Sequence, residues 1–472
     1  MRASIVLLFF FLSLRLSAQV NIQLPLSESY ELSNIILSLT PYGNTDQLNV
    51  QEKDTYYNEV VSFFEPVKDH PLLKRVNYAP GLEKEYMSFR TDAIAFSFEN
   101  STNELKRTLN FKTNAGQTPF DRELPLINDF IRKSNFRTFY KNHKTYYDSL
   151  VATYRSYYMV NEVHAFLKKE CGNNPVVQKK KDYKIFLSPL AVRTDCHRTI
   201  DKSTVADFPI YSLSIFHHNK KEETDPAKQA VNIHTLLIEA AHGFIDPVSA
   251  RYEKEINEKM DYSKWSKSSE YTGIAVFNEY MTRSLYDVFV RKYFPVYADS
   301  VSTQWHYQNG ERGLFASAAF AKKTMELLSA KTAQQTILEL YPKVILWCNA
   351  FQKDLSQPVL LSPTEPRMIL DASNVPVELV FSEAMNEKES MDVNIITRVN
   401  NMYQTAPMRL TKEHNNISWS DDGKKLNFTI QLSPAEQSSI QMNWWGCKLP
   451  LESKKGIFLK VFSKVVLNQS IH

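Results

Sequence analysis

Glu239 and His242 stand at a spacing that serves hydrolytic metal chemistry. In the pattern His-Glu-x-x-His, two histidines at i and i+4 share one helix face and hold zinc. The Glu beside the first His acts as general base on the metal-bound water. The segment Ile238-Glu239-Ala240-Ala241-His242 keeps the Glu and the second His but carries Ile238 where the first His belongs. Isoleucine has no lone pair to donate, so one ligand is missing. A site of this kind also needs a further ligand, usually a Glu from a following helix. Glu279, in Phe277-Asn278-Glu279-Tyr280, lies 37 residues after His242, which suits a helix, a loop and an antiparallel return. Taken alone, an acidic helix residue is ordinarily solvated or salt-bridged. Beside Glu239 and His242 it is a candidate zinc ligand, because zinc takes three protein ligands in catalytic sites.

Other residues could restore the missing ligand only with difficulty. His234 shares the helix face of Ile238, but it lies eight residues from His242. That is about 12 Å along a helix axis, too far for both to hold one zinc at about 2 Å. His197, His217 and His218 could enter from a polar loop or a preceding strand, and nothing in the sequence places them there. Glu239 and His242 also form one half of a di-metal carboxylate pattern, Glu-x-x-His, and no second half is evident. With two ligands the site is expected to be empty of zinc, and Glu239 and His242 then read as inherited cleft residues. Nucleophilic chemistry has less support: there is no GxSxG elbow and no glycine-rich phosphate loop among only 11 glycines.

The elements that must position these residues read as follows. Residues 25–170 are mostly helical, with helical spacing over Ser27–Leu39, Thr55–Val67, Leu82–Ser97 and Asn128–Lys169, the last broken near Ser134-Asn135. Tyr183–Pro189 and Phe208–Phe216 read as strands, with Arg193–Asp207 as a polar loop between them. Lys228–Phe244 is the motif helix, stopped by Gly243 with Pro247 beyond. Helices follow over Thr272–Phe294, Phe315–Leu328 and Ala333–Cys348. After Asp354 the character changes. Pro358, Pro363 and Pro366 mark a linker, then Pro376–Phe381, Asn394–Val399, Ala406–Leu410, Lys425–Leu432 and Ile457–Phe462 read as short strands. The expected fold class is α+β: a mainly helical, zincin-like domain with a small sheet, followed by an all-β sandwich.

Composition bounds the partners. The chain has 472 residues, 56 basic and 52 acidic. A net charge of +4 gives no argument for nucleic acid or an anionic membrane. The N-terminus, MRASIVLLFFFLSLRLSAQ, has Arg2, an apolar run Ile5–Leu12 and a small residue at Ala18. It reads as a signal peptide over residues 1–18, so the protein is expected to be exported. Its apolar run is too short to span a bilayer, and no later stretch is long enough, so no integral membrane segment is expected after cleavage. Export would permit disulfides among Cys171, Cys196, Cys348 and Cys447; Cys171 and Cys196 could pair, and four buried thiols are the alternative.

A resemblance covers most of this ground. TLLIEAAHGFIDP, then FNEYMTRSLYDVFV and ERGLFASAAFAKKTMELL, resemble a family of secreted bacterial proteins classed as a domain of unknown function and regarded as gluzincin-like metallopeptidases. Members read HEFSHSFVNP at the helix and carry a Glu in an NEY-like motif. The opening YELSNIILSLTPYG is similar to that family's N-terminal helix and turn. The resemblance runs from about residue 25 to 354. It implies Glu239 as general-base equivalent and His242 and Glu279 as zinc ligands, with Ile238 replacing the family's first zinc His. VPVELVFSEAMNEK further resembles bacterial Ig-like domains with a v-x-i-x-F-S-x-p-M signature. Trp444 and Trp445 could form a binding pair there, although paired tryptophans more often serve a core.

The expected organisation is a signal peptide (1–18), a metallopeptidase-like domain (19–354) and an Ig-like β-sandwich (355–472). The expected function is that of an exported, catalytically degenerate zinc-metallopeptidase homologue that binds peptide or protein segments. The alternatives are an active zinc-dependent peptidase with a substitute ligand, and a structural or adhesive envelope protein acting through its Ig-like domain.

Overall fold

The computed structural model describes residues 21–43, 45, 55–109, 118–172, 182–191, 196–200, 203–207, 225–332, 335–362, 367–369, 374–399, 402–432, 437–444, 447–460 and 463–469. The chain divides into two compact units. One joins Met1–Ser156 with Asn173–His217, and the other joins Tyr157–Gly172 with His218–His472.

The first unit is built largely of short amphipathic helices. The helix Glu28–Ser38 starts where the sequence places it. Ser27 caps it by accepting the Tyr30 N–H at 3.2 Å, and Leu32, Ile35 and Ile36 are fully buried, as helical spacing requires. Further helices run over Thr55–Phe64, Glu83–Asp92, Leu124–Ser134, Phe136–Asn142 and Lys144–Tyr157. The expected break falls at Asn135, which adopts φ 54° between two of them. Aromatic rings from these helices, among them Phe64, Phe130 and Phe139, fill the core.

A four-stranded sheet belongs to the same unit. Its strands are β1 (Asn21–Gln23), β4 (Asp182–Phe186), β5 (Cys196–Ile200) and β6 (Ser203–Asp207), in the order β1-β4-β6-β5. The β1–β4 and β4–β6 pairs are parallel and β5–β6 is antiparallel. A separate antiparallel pair joins β2 (Phe96–Phe98) and β3 (Leu105–Arg107). The hairpin β5–β6 corrects the reading of Arg193–Asp207 as a loop. Thr199, Ile200, Thr204 and Val205 suit a pleated strand despite the polar company they keep. The strand expected at Phe208–Phe216 lies outside the described residues.

In the second unit the motif helix is far longer than expected. It runs unbroken over Pro226–Lys259, with Pro226 in the first turn and Asp225 accepting the N–H groups of Ala227 and Lys228 at its start. Neither Gly243 nor Pro247 stops it. A proline inside a helix costs about 3 kcal/mol, but Phe244, Ile245, Val248 and Ile256 continue the buried face on both sides of it. Burial of a large apolar side chain contributes roughly 1.5–3 kcal/mol each, which outweighs that cost. The helices Val160–Cys171, Ile274–Tyr293, Ala298–Glu311, Ser317–Ser329 and Ile337–Phe351 belong to the same unit. The motif helix packs most extensively against Ile274–Tyr293, the helix that carries Glu279.

The C-terminal strands form two sheets. One holds β11 (Met402–Thr411), β10 (Ser390–Val399), β14 (Gln437–Met442), β15 (Ser463–Gln469) and β8 (Arg367–Ile369), in that order. The other holds β12 (Ser418–Trp419), β13 (Lys425–Ile430), β9 (Val375–Phe381) and β7 (Leu360–Ser362). Strand β9 alternates buried and less buried residues, and its Val377, Leu379 and Phe381 share one core with Val393, Ile440 and Val465 of the other sheet. Two assignments need correcting. Of the strand expected at Ile457–Phe462, the described residues Ile457–Lys460 form none, since Phe458 makes only an isolated bridge to Glu452, and the next strand is β15. Leu360–Ser362, read as part of a linker, pairs with β9. Among the described residues no helix is long and apolar enough to cross a membrane.

Candidate functional site

The site is assembled from two packed helices and the spacing i, i+4 on each. On the motif helix, His242 and Asp246 are one turn apart, and the His242 ring reaches Asp246 Oδ1 through Nδ1 at 3.0 Å. On the neighbouring helix, Glu279 and Arg283 are one turn apart. Arg283 donates to Glu279 Oε2 from Nε at 3.0 Å and from an Nη at 2.6 Å. Between the helices, His242 Nε2 lies 3.3 Å from Glu279 Oε1. The result is a continuous chain of alternating charge, Asp246–His242–Glu279–Arg283. Beyond it, Arg283 donates to Asn309 Oδ1 at 2.7 Å and to the Tyr271 hydroxyl at 3.3 Å.

Three of its four members are largely shielded from water, the side chains of His242, Glu279 and Arg283 being 17%, 12% and 6% exposed, while Asp246 is 47% exposed. Burial alone would push the His242 ring toward neutrality, but its bonds to Asp246 and Glu279 and their charges raise its pKa to about 10. Burial would likewise raise the Glu279 carboxyl, yet His242 and Arg283 hold it below its ordinary value. His242 is therefore an imidazolium and Glu279 a carboxylate at neutral pH.

The structure thus brings His242 and Glu279 together as the sequence anticipates. Ile238 occupies the first-ligand position one turn before His242 and is buried at 4% exposure. Glu239 is half-buried beside it. His234 does not join them. Its ring stacks on Trp305 with centroids 3.3 Å apart and parallel planes, and it meets Tyr286 edge-on. Burial, reinforced by the positive charges of Arg283 and Arg312, drives its pKa well below the usual value, so it is neutral. Residues 208–224 and the side chain of His197 lie outside the described residues, and with them His217 and His218. Cys171, Cys348 and Cys447 are buried free thiols, so Cys171 does not form the pairing considered for it. Trp444 is half-buried, and Trp445 lies outside the described residues.

A zinc site can be tested against these donors. A tetrahedral zinc with bonds of about 2.0–2.1 Å sets neighbouring ligand atoms about 3.3–3.4 Å apart, which matches the separation of His242 Nε2 and Glu279 Oε1. The carboxylate–histidine contact from Asp246 is also what orients a metal-bound imidazole. The third donor fails. Ile238 offers a hydrocarbon, and Arg283 takes the second Glu279 oxygen. Among the described residues no group of three or more His, Cys, Asp or Glu side chains could hold a metal ion. The residues present do not fit a zinc held by three protein ligands. What they form is a salt-bridged clamp between two helices.

Asp246 and Arg283 are the members that the motif reading passes over. Each stands four residues after a recognised one, His242 and Glu279, so the helical period itself carried the signal.

No family model matches this chain, and no curated protein matches it. Among solved structures, the crystal structure of the S-layer protein rSbsC(31-844) aligns with 93% of this chain and 44% of that one, at 12% identity and a TM-score of 0.17. The chain thus spans less than half of that protein's length, and a likeness at this score carries no argument about fold or activity.

Proposed function

We propose that the chain is an exported, catalytically inert relative of gluzincin-like metallopeptidases that binds peptide or protein segments without cutting them. The observation that supports this reading is the replacement at the ligand position. Buried Ile238 stands where a zinc histidine would, while His242 and Glu279 keep a ligand-like separation and are bound into a salt-bridge chain by Asp246 and Arg283. Without a metal to polarise water, Glu239 has no activated nucleophile to generate. In this reading the two C-terminal sheets form an Ig-like module that displays or tethers the helical part.

Zinc content of the purified chain tests the proposal. The wild type should hold well under one zinc per chain. Ile238→His should bind about one, because it restores a donor on the face of His242. Stoichiometric zinc in the wild type, removed by chelator together with a peptidase activity that Glu239→Gln abolishes, would overturn it. If neither protein binds zinc, the metallopeptidase ancestry itself fails.

A further inference from the structure

Among the described residues strand β11 is the outer edge of its sheet and pairs only with β10, in unbroken antiparallel register from Ser390↔Thr411 to Val399↔Met402. Only its C-terminal end is anchored in the core, through Leu410 and the partly buried Met408. Met402 to Pro407 are exposed in succession, so both faces of the strand stand clear of the body there. Met402 is 65% and Tyr403 67% exposed, two of the largest apolar exposures among the described residues.

The direction of each backbone group follows from two residues. In an antiparallel strand the N–H and C=O of one residue point to the same side, and the side alternates along the chain. The Thr411 N–H is bound by Asn415 Oδ1, so odd-numbered residues face away from β10. Pro407 agrees, since a proline with no N–H belongs on the open side of an edge strand. The open edge therefore presents the N–H and C=O of Tyr403 and Thr405. Among the described residues no backbone hydrogen bond from elsewhere reaches them.

Natural edge strands are usually guarded by charge. Met402–Met408 has none, and the next residue, Arg409, is neutralised by Asp392 at 2.7 Å. We infer that this edge pairs antiparallel with the same edge of a second copy of the chain, about a two-fold axis at Gln404. In that register Tyr403 faces Thr405 of the second copy and Thr405 faces its Tyr403. Each pair exchanges two hydrogen bonds, so the two donors and two acceptors of Tyr403 and Thr405 are all satisfied. Shifting the axis to Thr405 would set Pro407 opposite Tyr403 and lose donors. The uncharged segment meets its own copy without the like-charge repulsion that a lysine edge would impose. The contact is isologous and so closes at a dimer. It is small, of the kind that associates weakly and transiently, so a concentration-dependent monomer–dimer equilibrium is expected.

Sedimentation of the full chain from micromolar to millimolar concentration tests this, with two variants. The wild type should pass from monomer to dimer. Thr405→Pro, which removes an outward donor, should weaken the dimer at least tenfold with unchanged far-UV circular dichroism. Gln404→Cys should lock a disulfide-linked dimer under mild oxidation. Residue 404 would face its own copy in a non-hydrogen-bonded pair with Cα atoms about 4.5 Å apart, within disulfide reach. If Thr405→Pro fails to fold, the cross-link decides. A chain that stays monomeric, with no Gln404→Cys dimer above the wild-type background, overturns the proposal and leaves the edge to a different partner. A dimer that Thr405→Pro leaves intact, with no Gln404→Cys cross-link, overturns it as well.

Discussion

Glu31 shows what burial does to a single charge. It sits in the first turn of its helix, 3% exposed, and accepts a 2.7 Å hydrogen bond from the Tyr56 hydroxyl, which in turn contacts the Tyr147 hydroxyl at 2.6 Å. Burial raises its pKa from 4.5 to about 7, against the opposing effect of hydrogen bonds from Tyr56 and Ser188. The unfolded chain therefore loses this proton at lower pH than the folded one. Stability from this group is fully present below about 4.5 and declines as pH rises toward 7. Glu31→Gln should remove that decline, a difference on the order of 1–3 kcal/mol between pH 5 and 8. Hydrogen exchange of the Glu28–Ser38 helix would measure it, and parallel pH profiles for the two proteins would refute it. The burial of Glu31 and of Arg283 was illegible in the sequence for one reason. A charged residue on a helix is nearly always solvated, and only tertiary burial distinguishes the exceptions. Glu239, His242 and Glu279 could be singled out because their residue types matched a motif; Ile238 could be noticed only because it broke one.

Among the elements, helices with a clean apolar stripe were readable to within a few residues, as Glu28–Ser38 and Ile274–Tyr293 illustrate. The failures came where local preference and tertiary packing disagree. Gly243 and Pro247 spell a helix end, yet the apolar face that resumes at Val248 carries the helix on to Lys259. The β5–β6 hairpin was hidden by polar residues, and the core contributions of β14 and β15 by the absence of strict alternation. The motif helix supplies a prediction. Pro247→Ala restores a donor for the Gly243 carbonyl inside a helix that already forms. It should stabilise the protein by about 1–3 kcal/mol, since proline is about 3 kcal/mol less favourable than alanine there. Urea denaturation followed by tryptophan fluorescence would record a higher midpoint at unchanged slope. A lower midpoint would mean that the proline kink is needed for helix packing.

For the whole molecule, the division into two units has a direct optical consequence. All six tryptophans, Trp265, Trp305, Trp347, Trp419, Trp444 and Trp445, fall in the unit that contains His218–His472. Tryptophan fluorescence therefore reports one unit, while far-UV circular dichroism sees the helices of both. Units that unfold independently give non-coincident transitions by the two probes, and that is the expected result in urea. Superimposable curves would show that the units unfold as one. The α+β class was legible from the succession of helical and alternating segments, but the union of residues 157–172 with the later helices was not. Such pairing depends on contacts between distant parts of the chain, which periodicity does not encode.

The charge chain between the two site helices also bears on how the protein is made. Every member of Asp246–His242–Glu279–Arg283 is encoded in the polypeptide, and its only exchangeable component is a proton from the solvent. On the proposed metal-free reading, a fold closed in this way needs no loading step and no trace-metal allotment from the cell. That reading predicts the same yield and refolding in medium stripped by chelators as in medium rich in zinc.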